Sequence, residues 1–121
     1  MNVVLLSRDL MLLSRAQGAA NKQGITLHNV VDPAQAVTAA QTEEYRGVVI
    51  DLRLPGLNIS ELVSQLRAVR DKFWIVACGP HVHEASLSAA REAGCDIVAT
   101  RGQFDRDAEA ILQRCVNSEG S

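Results

Sequence analysis

The sequence predicts an α/β domain built on a parallel sheet. Three observations carry that expectation: five short aliphatic runs spaced along 121 residues, a helix-patterned segment after each run, and runs that are continuous rather than alternating in polarity. Continuous aliphatic runs belong to strands buried on both faces. Strict β-α alternation implies right-handed crossovers, with helices on both sides of the sheet. The length suits a single domain.

The first run is Val3–Leu6, followed by a segment in which Leu13, Ala16 and Ala20 share one helical face and Gly24 offers a left-handed stop. The second, Thr26–Val31, is the least apolar and fits an edge strand. Asp32 and Pro33 then read as an N-cap and a first helical residue. After Val48–Ile50, Asn58 precedes Glu61 by three positions, a capping-box spacing, and Leu62, Val63, Leu66 and Val69 form a core-facing stripe. After Phe73–Cys78, the residues Ala85, Ala89, Ala90 and Ala93 lead into Gly94. The fifth run is Cys95–Val98, and the last stripe is Ala108, Ile111, Leu112 and Cys115. The domain is expected over residues 1–115, with Val116–Ser121 a polar, fraying tail.

Composition removes several function classes. A hydrophobic content of 47% supports a folded core rather than intrinsic disorder, and an aromatic content of 3% means aliphatic strands and alanine-rich helices must build it. A net charge of −2 provides no broad basic field, so no direct nucleic-acid partner is expected. Cys78, Cys95 and Cys115 are widely spaced and form no C-x-x-C, which fits buried thiols in a reducing compartment and not a zinc or disulfide framework. The start MNVVLLSRDL lacks a basic region and a long apolar stretch, and no segment reaches the roughly 20 apolar residues that span a bilayer. A soluble, cytoplasmic protein is the expectation.

In open parallel sheets, function gathers at the carboxyl ends of the strands. That rule selects Ser7, Arg8 and Asp9 after the first run, Asp51, Leu52 and Arg53 after the third, Cys78 to His83 after the fourth, and Thr100, Arg101 and Gly102 after the fifth.

Two stretches now acquire a shared meaning. VVIDLRLPG (Val48 to Gly56) places an aspartate at a strand end with Pro-Gly four and five residues later, and AAREAGCDIVATR (Ala89 to Arg101) is a helix closing in Ala-Gly before a strand. With this spacing, from Asn2 to about Cys115, the chain resembles the receiver domain of bacterial two-component response regulators. The resemblance implies a flavodoxin-like three-layer α/β/α sandwich with a five-stranded parallel sheet in the order 2-1-3-4-5. It makes Asp51 the equivalent of the phosphoacceptor. The rest of the family's machinery is replaced: Ser7 and Arg8 stand for the acidic pair that helps hold Mg²⁺, Gly79 for the phosphoryl-binding Thr or Ser, Val98 for the switch aromatic, Arg101 for the lysine, and Gly102 for the proline after it.

Magnesium requires hard oxygen ligands, and here a guanidinium enters its site. No cofactor is expected; Mg²⁺ belongs only to the alternative in which Asp51 is phosphorylated in a phosphorelay. Arg8, with Arg101 as a second candidate, is expected to pair with Asp51 and occupy its oxygens in the metal's place. Asp9 is expected to cap the first helix, the alternative being a surviving metal ligand. The positive balance of Arg8 and Arg101 over Asp51 opens a further alternative, an anion or phosphorylated small-ligand module, with Gly79, Pro80 and Gly102 giving the backbone room. His81 and His83 read as part of a tight turn set by Pro80; metal ligation with Cys78 or Asp9, and a His81 bond to Asp51 or Asp9, are the alternatives. Cys78 is expected in the core. Arg53, Arg67, Arg70 and Lys72 read as a solvated face.

The functional expectation is a stand-alone atypical receiver, not an enzyme, that acts as a signalling interaction module. Its partner, a protein or a second copy, is expected on the face of the fourth helix, fifth strand and fifth helix, with no membrane involved.

Overall fold

The chain, described over residues 1–117 in a computed structural model, runs β1 (Asn2–Leu6), α1 (Leu10–Lys22), β2 (Thr26–Val30), α2 (Pro33–Ala40), β3 (Tyr45–Asp51), α3 (Ile59–Val69), β4 (Trp74–Gly79), α4 (Glu84–Ala93), β5 (Ile97–Thr100) and α5 (Arg101–Asn117). The strands are parallel and lie in the order β2-β1-β3-β4-β5, as expected. β2 is an edge strand and exposes Thr26, His28 and Asn29, which accounts for its weak hydrophobic signal.

Two apolar layers flank the sheet. On one side Val3, Leu5, Val49 and Val76 meet α1 and α5 through Leu12, Ala16, Phe104 and Leu112. On the other, Val4, Leu6, Ile50 and Ile75 meet α2, α3 and α4 through Ala36, Leu62, Leu66 and Ala90. Alternate residues of one strand thus serve opposite layers, and Val3 to Leu6 are all fully buried. This is why the central runs show no polar alternation.

The helix starts follow their caps. Asp32 and Gln35 close a full capping box with Pro33 in the first turn. Asn58 accepts a hydrogen bond from the Glu61 N–H at 3.1 Å. Gly24 and Gly94 adopt φ values of 68° and 97° as the chain leaves α1 and α4.

Several boundaries differ from expectation. β3 begins at Tyr45, ahead of the aliphatic run, because a register irregularity against β1 accommodates Arg46. Gly47 then lies so close to β4 that a Cβ there would sit 2.5 Å from the Trp74 carbonyl oxygen. β5 begins at Ile97, two residues late: Asp96 donates its N–H to the Ile75 carbonyl at 2.7 Å, and its side chain takes the place of a ladder acceptor, receiving hydrogen bonds from the Ile75 N–H at 2.8 Å and from Arg67 at 3.0 Å. On α3 the buried stripe starts with Ile59, and Val69 is exposed. On α4, Leu87 and Ala90 are buried while Ala85 faces solvent. α5 starts directly after β5 because Thr100 and Gln103 form a reciprocal cap: Gln103 N–H donates to Thr100 Oγ1 at 3.1 Å, and Thr100 N–H to Gln103 Oε1 at 2.8 Å. The helix kinks at Asp107 and continues through Asn117 with Val116 buried, past the expected boundary at residue 115. Residues 118–121 of the expected tail lie outside the described residues.

Candidate functional site

Asp51 is the last residue of β3, carried to the carboxyl edge by the buried run Val48–Ile50, and it remains only 6% exposed. A buried carboxylate must find donors or lose its charge. It finds two: Ser7 Oγ donates to Oδ2 at 2.5 Å, and the Arg53 N–H donates to Oδ1 at 2.9 Å. Ser7 follows β1, the strand beside β3, and its oxygen accepts in turn from the Asp9 N–H at 3.0 Å. A short chain of hydrogen bonds therefore leads from the start of α1 into the Asp51 carboxylate.

Asp9 is the N-cap of α1, as expected. Its Oδ1 accepts from the N–H groups of Met11 at 2.9 Å and Leu12 at 3.2 Å. Its Oδ2 accepts from Arg101 Nη1 at 2.8 Å, and Arg101 Nε also donates to Asp105 at 3.1 Å. Partial burial alone would raise the Asp9 pKa; the Leu12 N–H, the Arg101 guanidinium and the Met11 N–H outweigh it and hold the carboxyl below its ordinary value. The same contacts bind the β1–α1 connection to the start of α5.

The expected Arg8–Asp51 pair does not form. Arg8 is exposed, and its side chain makes no hydrogen bond or ion pair with the described residues. Arg101 likewise turns to Asp9 and Asp105. The reason is steric and local: Ser7, facing the sheet end, already satisfies Asp51, and the next residue along an extended segment points the other way.

Gly79 does not open the backbone to an anion. A Cβ at this position would lie 3.2 Å from the Leu52 Cβ, so the space is filled by packing. Gly102 sits in the first turn of α5. The Pro80 carbonyl accepts from the His83 N–H at 3.0 Å, which makes Pro80 to His83 the expected turn, and His83 precedes α4 without a side-chain cap bond. His81 and His83 are both exposed, and neither bonds to Asp51 or Asp9 among the described residues. Cys78 is buried against Val49 and Val76, and burial pushes its thiol up to about 12, too high for a nucleophile at neutral pH.

Magnesium prefers octahedral oxygen coordination. At this edge Asp51 and Asp9 are engaged by internal donors and Arg8 brings a cation. Among the described residues no group of three or more His, Cys, Asp or Glu is placed to hold a metal ion. These residues do not fit Mg²⁺.

What lies above Asp51 is a cleft of about 410 Å³, with Arg8, Met11, Arg53, Leu54 and Pro55 around it. The strand-end rule indicated Arg8 and Arg53 at this edge; it held no sign that Met11 would face the same space. Arg53 follows Asp51 by two, and its backbone bond to the Asp51 carboxylate turns the chain there. Two others of the basic set are structural, contrary to the solvated face expected. Arg67 donates to the carbonyls of Asp71, Phe73 and Gly94 as well as to Asp96. Arg70 donates to the carbonyls of Thr42 and Tyr45.

No family model matches the chain, and no curated protein matches it in sequence. Solved structures do. The receiver domain of the sensor histidine kinase PA1611 from Pseudomonas aeruginosa PAO1, which holds a coordinated magnesium ion, is similar with a TM-score of 0.79 at 20% identity, over 96% of this chain and 97% of that one. The receiver domain of the TMAO respiratory system response regulator TorR is similar with a TM-score of 0.80 at 18% identity, over 95% of each chain. The CheY-like protein tadZ from Pseudomonas aeruginosa PAO1 is similar with a TM-score of 0.75 at 19% identity, over 95% of this chain and 98% of that one. At these identities the likeness is one of architecture: the chain has the receiver fold.

Proposed function

We propose that this protein is an atypical receiver, a signalling module that works by docking to a protein partner and not by Mg²⁺-dependent phosphorylation. One observation carries the reading. Both oxygens of the buried Asp51 carboxylate accept hydrogen bonds from the protein itself, from the Ser7 hydroxyl and the Arg53 N–H. Phosphoryl transfer relies on positioning and charge neutralisation, supplied in receivers by a metal. Here the neighbouring positions carry Ser7 and Arg8, and Asp9 is committed to its cap and to Arg101. The carboxylate is held ready-made in one state.

The face of α4, β5 and α5 is the proposed partner surface. Ala89, Ala90 and Ala93 are used against the core, so docking there would rest on Ala85, Ser88 and the exposed side of α5.

The test is incubation with acetyl phosphate and Mg²⁺, read by intact-mass spectrometry. The expected result is no adduct at Asp51 where a competent receiver treated in parallel is modified. A saturable, magnesium-dependent adduct abolished in Asp51→Asn would refute the reading. Mass is a better readout than fluorescence, because Trp74 begins β4 whereas Asp51 pairs with Cys78 near its end, roughly 13 Å away at about 3.3 Å per residue.

A further inference from the structure

We infer that the cleft above Asp51 binds a small organic carboxylate with an aliphatic body, gripped by Arg8 and Arg53. This rests on the preceding reading only in that no divalent cation occupies the same space.

The volume, about 410 Å³, falls within the range of small-ligand sites. Its chemistry is one-sided. Asp51 and Asp9 both line the cleft, but their oxygens already accept from the Ser7 hydroxyl, backbone N–H groups and Arg101. The guanidiniums of Arg8 and Arg53 have no hydrogen bond or ion pair with the described residues. The cleft therefore offers donors and selects an anion.

Charge narrows the class. Arg101 is shared between Asp9 and Asp105, and Asp51 offsets one of the two unpaired guanidiniums, which leaves room for no more than a single negative charge. A phosphate monoester would bring nearly two, beside a buried carboxylate. A carboxylate brings one and presents the two oxygens that a guanidinium fork matches.

The walls supply the second half of the preference. Met11 is 76% exposed, and Leu54 and Pro55 complete an apolar side beside the cations. Leu10, next to Met11 at the start of α1, is 78% exposed. Large aliphatic side chains held in water on a rigid helix start gain by covering a hydrocarbon chain.

The experiment is a titration with acetate, butyrate, hexanoate and octanoate at constant ionic strength, followed by amide chemical shifts and by melting temperature. Sodium phosphate and the acetylated tripeptide amide Leu-Glu-Leu serve as competing probes. Affinity is expected to rise about fourfold per added methylene until the cleft is filled, with shifts centred on Met11, Arg53 and Leu54. Arg8→Gln and Arg53→Gln should each weaken octanoate binding at least tenfold while the unliganded variants melt as the parent does. Saturation by phosphate at equal or lower concentration, binding of the tripeptide without octanoate, octanoate binding undiminished in the double variant, or no saturable shift with any carboxylate would each overturn the assignment. The two readings fail separately: an acetyl phosphate adduct at Asp51 sinks the docking module, and absent carboxylate binding leaves it intact.

Discussion

The two ends of the sheet use arginine in opposite ways. At the amino edge, Arg67 reaches three backbone carbonyls and Asp96, tying α3 to the start of β4 and β5, and Arg70 reaches the carbonyls of Thr42, before β3, and Tyr45, its first residue. At the carboxyl edge, Arg8 and Arg53 stand over the cleft with no such acceptors among the described residues. The difference is one of backbone supply. Connections that enter strands leave carbonyls facing outward, and a guanidinium with five donors can satisfy several at once. At the other edge the acceptors are carboxylates, and those are already taken. Arg67 and Arg70 thus serve structure, as Arg101 does at the carboxyl edge through Asp9 and Asp105, while Arg8 and Arg53 stay open to the ligand proposed above.

The amino edge should break most severely at its closest approach. Gly47→Ala places a methyl 2.5 Å from the Trp74 carbonyl oxygen, on backbone that cannot yield without shearing β3 from β4. A loss of about 3 kcal/mol is expected in urea unfolding, and a change below 1 kcal/mol would show that the two strands are free to slide.

The comparison itself is tested by matched substitutions. Arg67→Ala should cost about 2 kcal/mol, since it removes charge-assisted hydrogen bonds and leaves Asp96 without its cation. Arg8→Ala and Arg53→Ala should each stay within about 0.5 kcal/mol of the parent, as exposed side chains without partners do. Equal losses at both edges would erase the distinction.

An effect smaller than that at Arg67 is expected at Asp9, a carboxylate of the carboxyl edge that ties the start of α1 to α5. Its pKa is depressed in the folded protein, so its contribution is complete above the unfolded value near 3.8 and disappears as pH falls through the lower folded value. Asp9→Ala should therefore destabilise by about 1 kcal/mol at pH 7. The gap between variant and parent should close as pH falls below the unfolded value near 3.8 and through the lower folded one, as read by chemical denaturation across pH. A gap independent of pH would assign the loss to something other than the charged cap.

Most of the architecture was legible because it depends on local chemistry. Continuous aliphatic runs, the Asp32-Pro33 start, and glycines after α1 and α4 each report a backbone requirement that few residues meet. The Thr100–Gln103 cap is equally readable as Thr-x-x-Gln, whereas the stripe Ala108, Ile111, Leu112 and Cys115 by itself leaves the start of α5 undefined. The site was less legible. Asp51, Ser7, Asp9 and Arg101 were named from position, yet who bonds whom was misread: Arg8 was matched to Asp51 by charge alone, when a small hydroxyl on the correct face wins by geometry.

The sequence by itself determined the βα alternation, the edge character of β2, and the absence of a carboxylate pair after β1, because these follow from residue type and spacing along the chain. Only the tertiary structure decided that Ser7 satisfies Asp51, that Arg101 grips Asp9 across α1 and α5, and that Arg8 and Arg53 share a cleft. Those pairings join residues 44 and 92 positions apart or set side chains of different connections over one space. Such partners are chosen by strand order and side-chain direction, which emerge only once the sheet has closed.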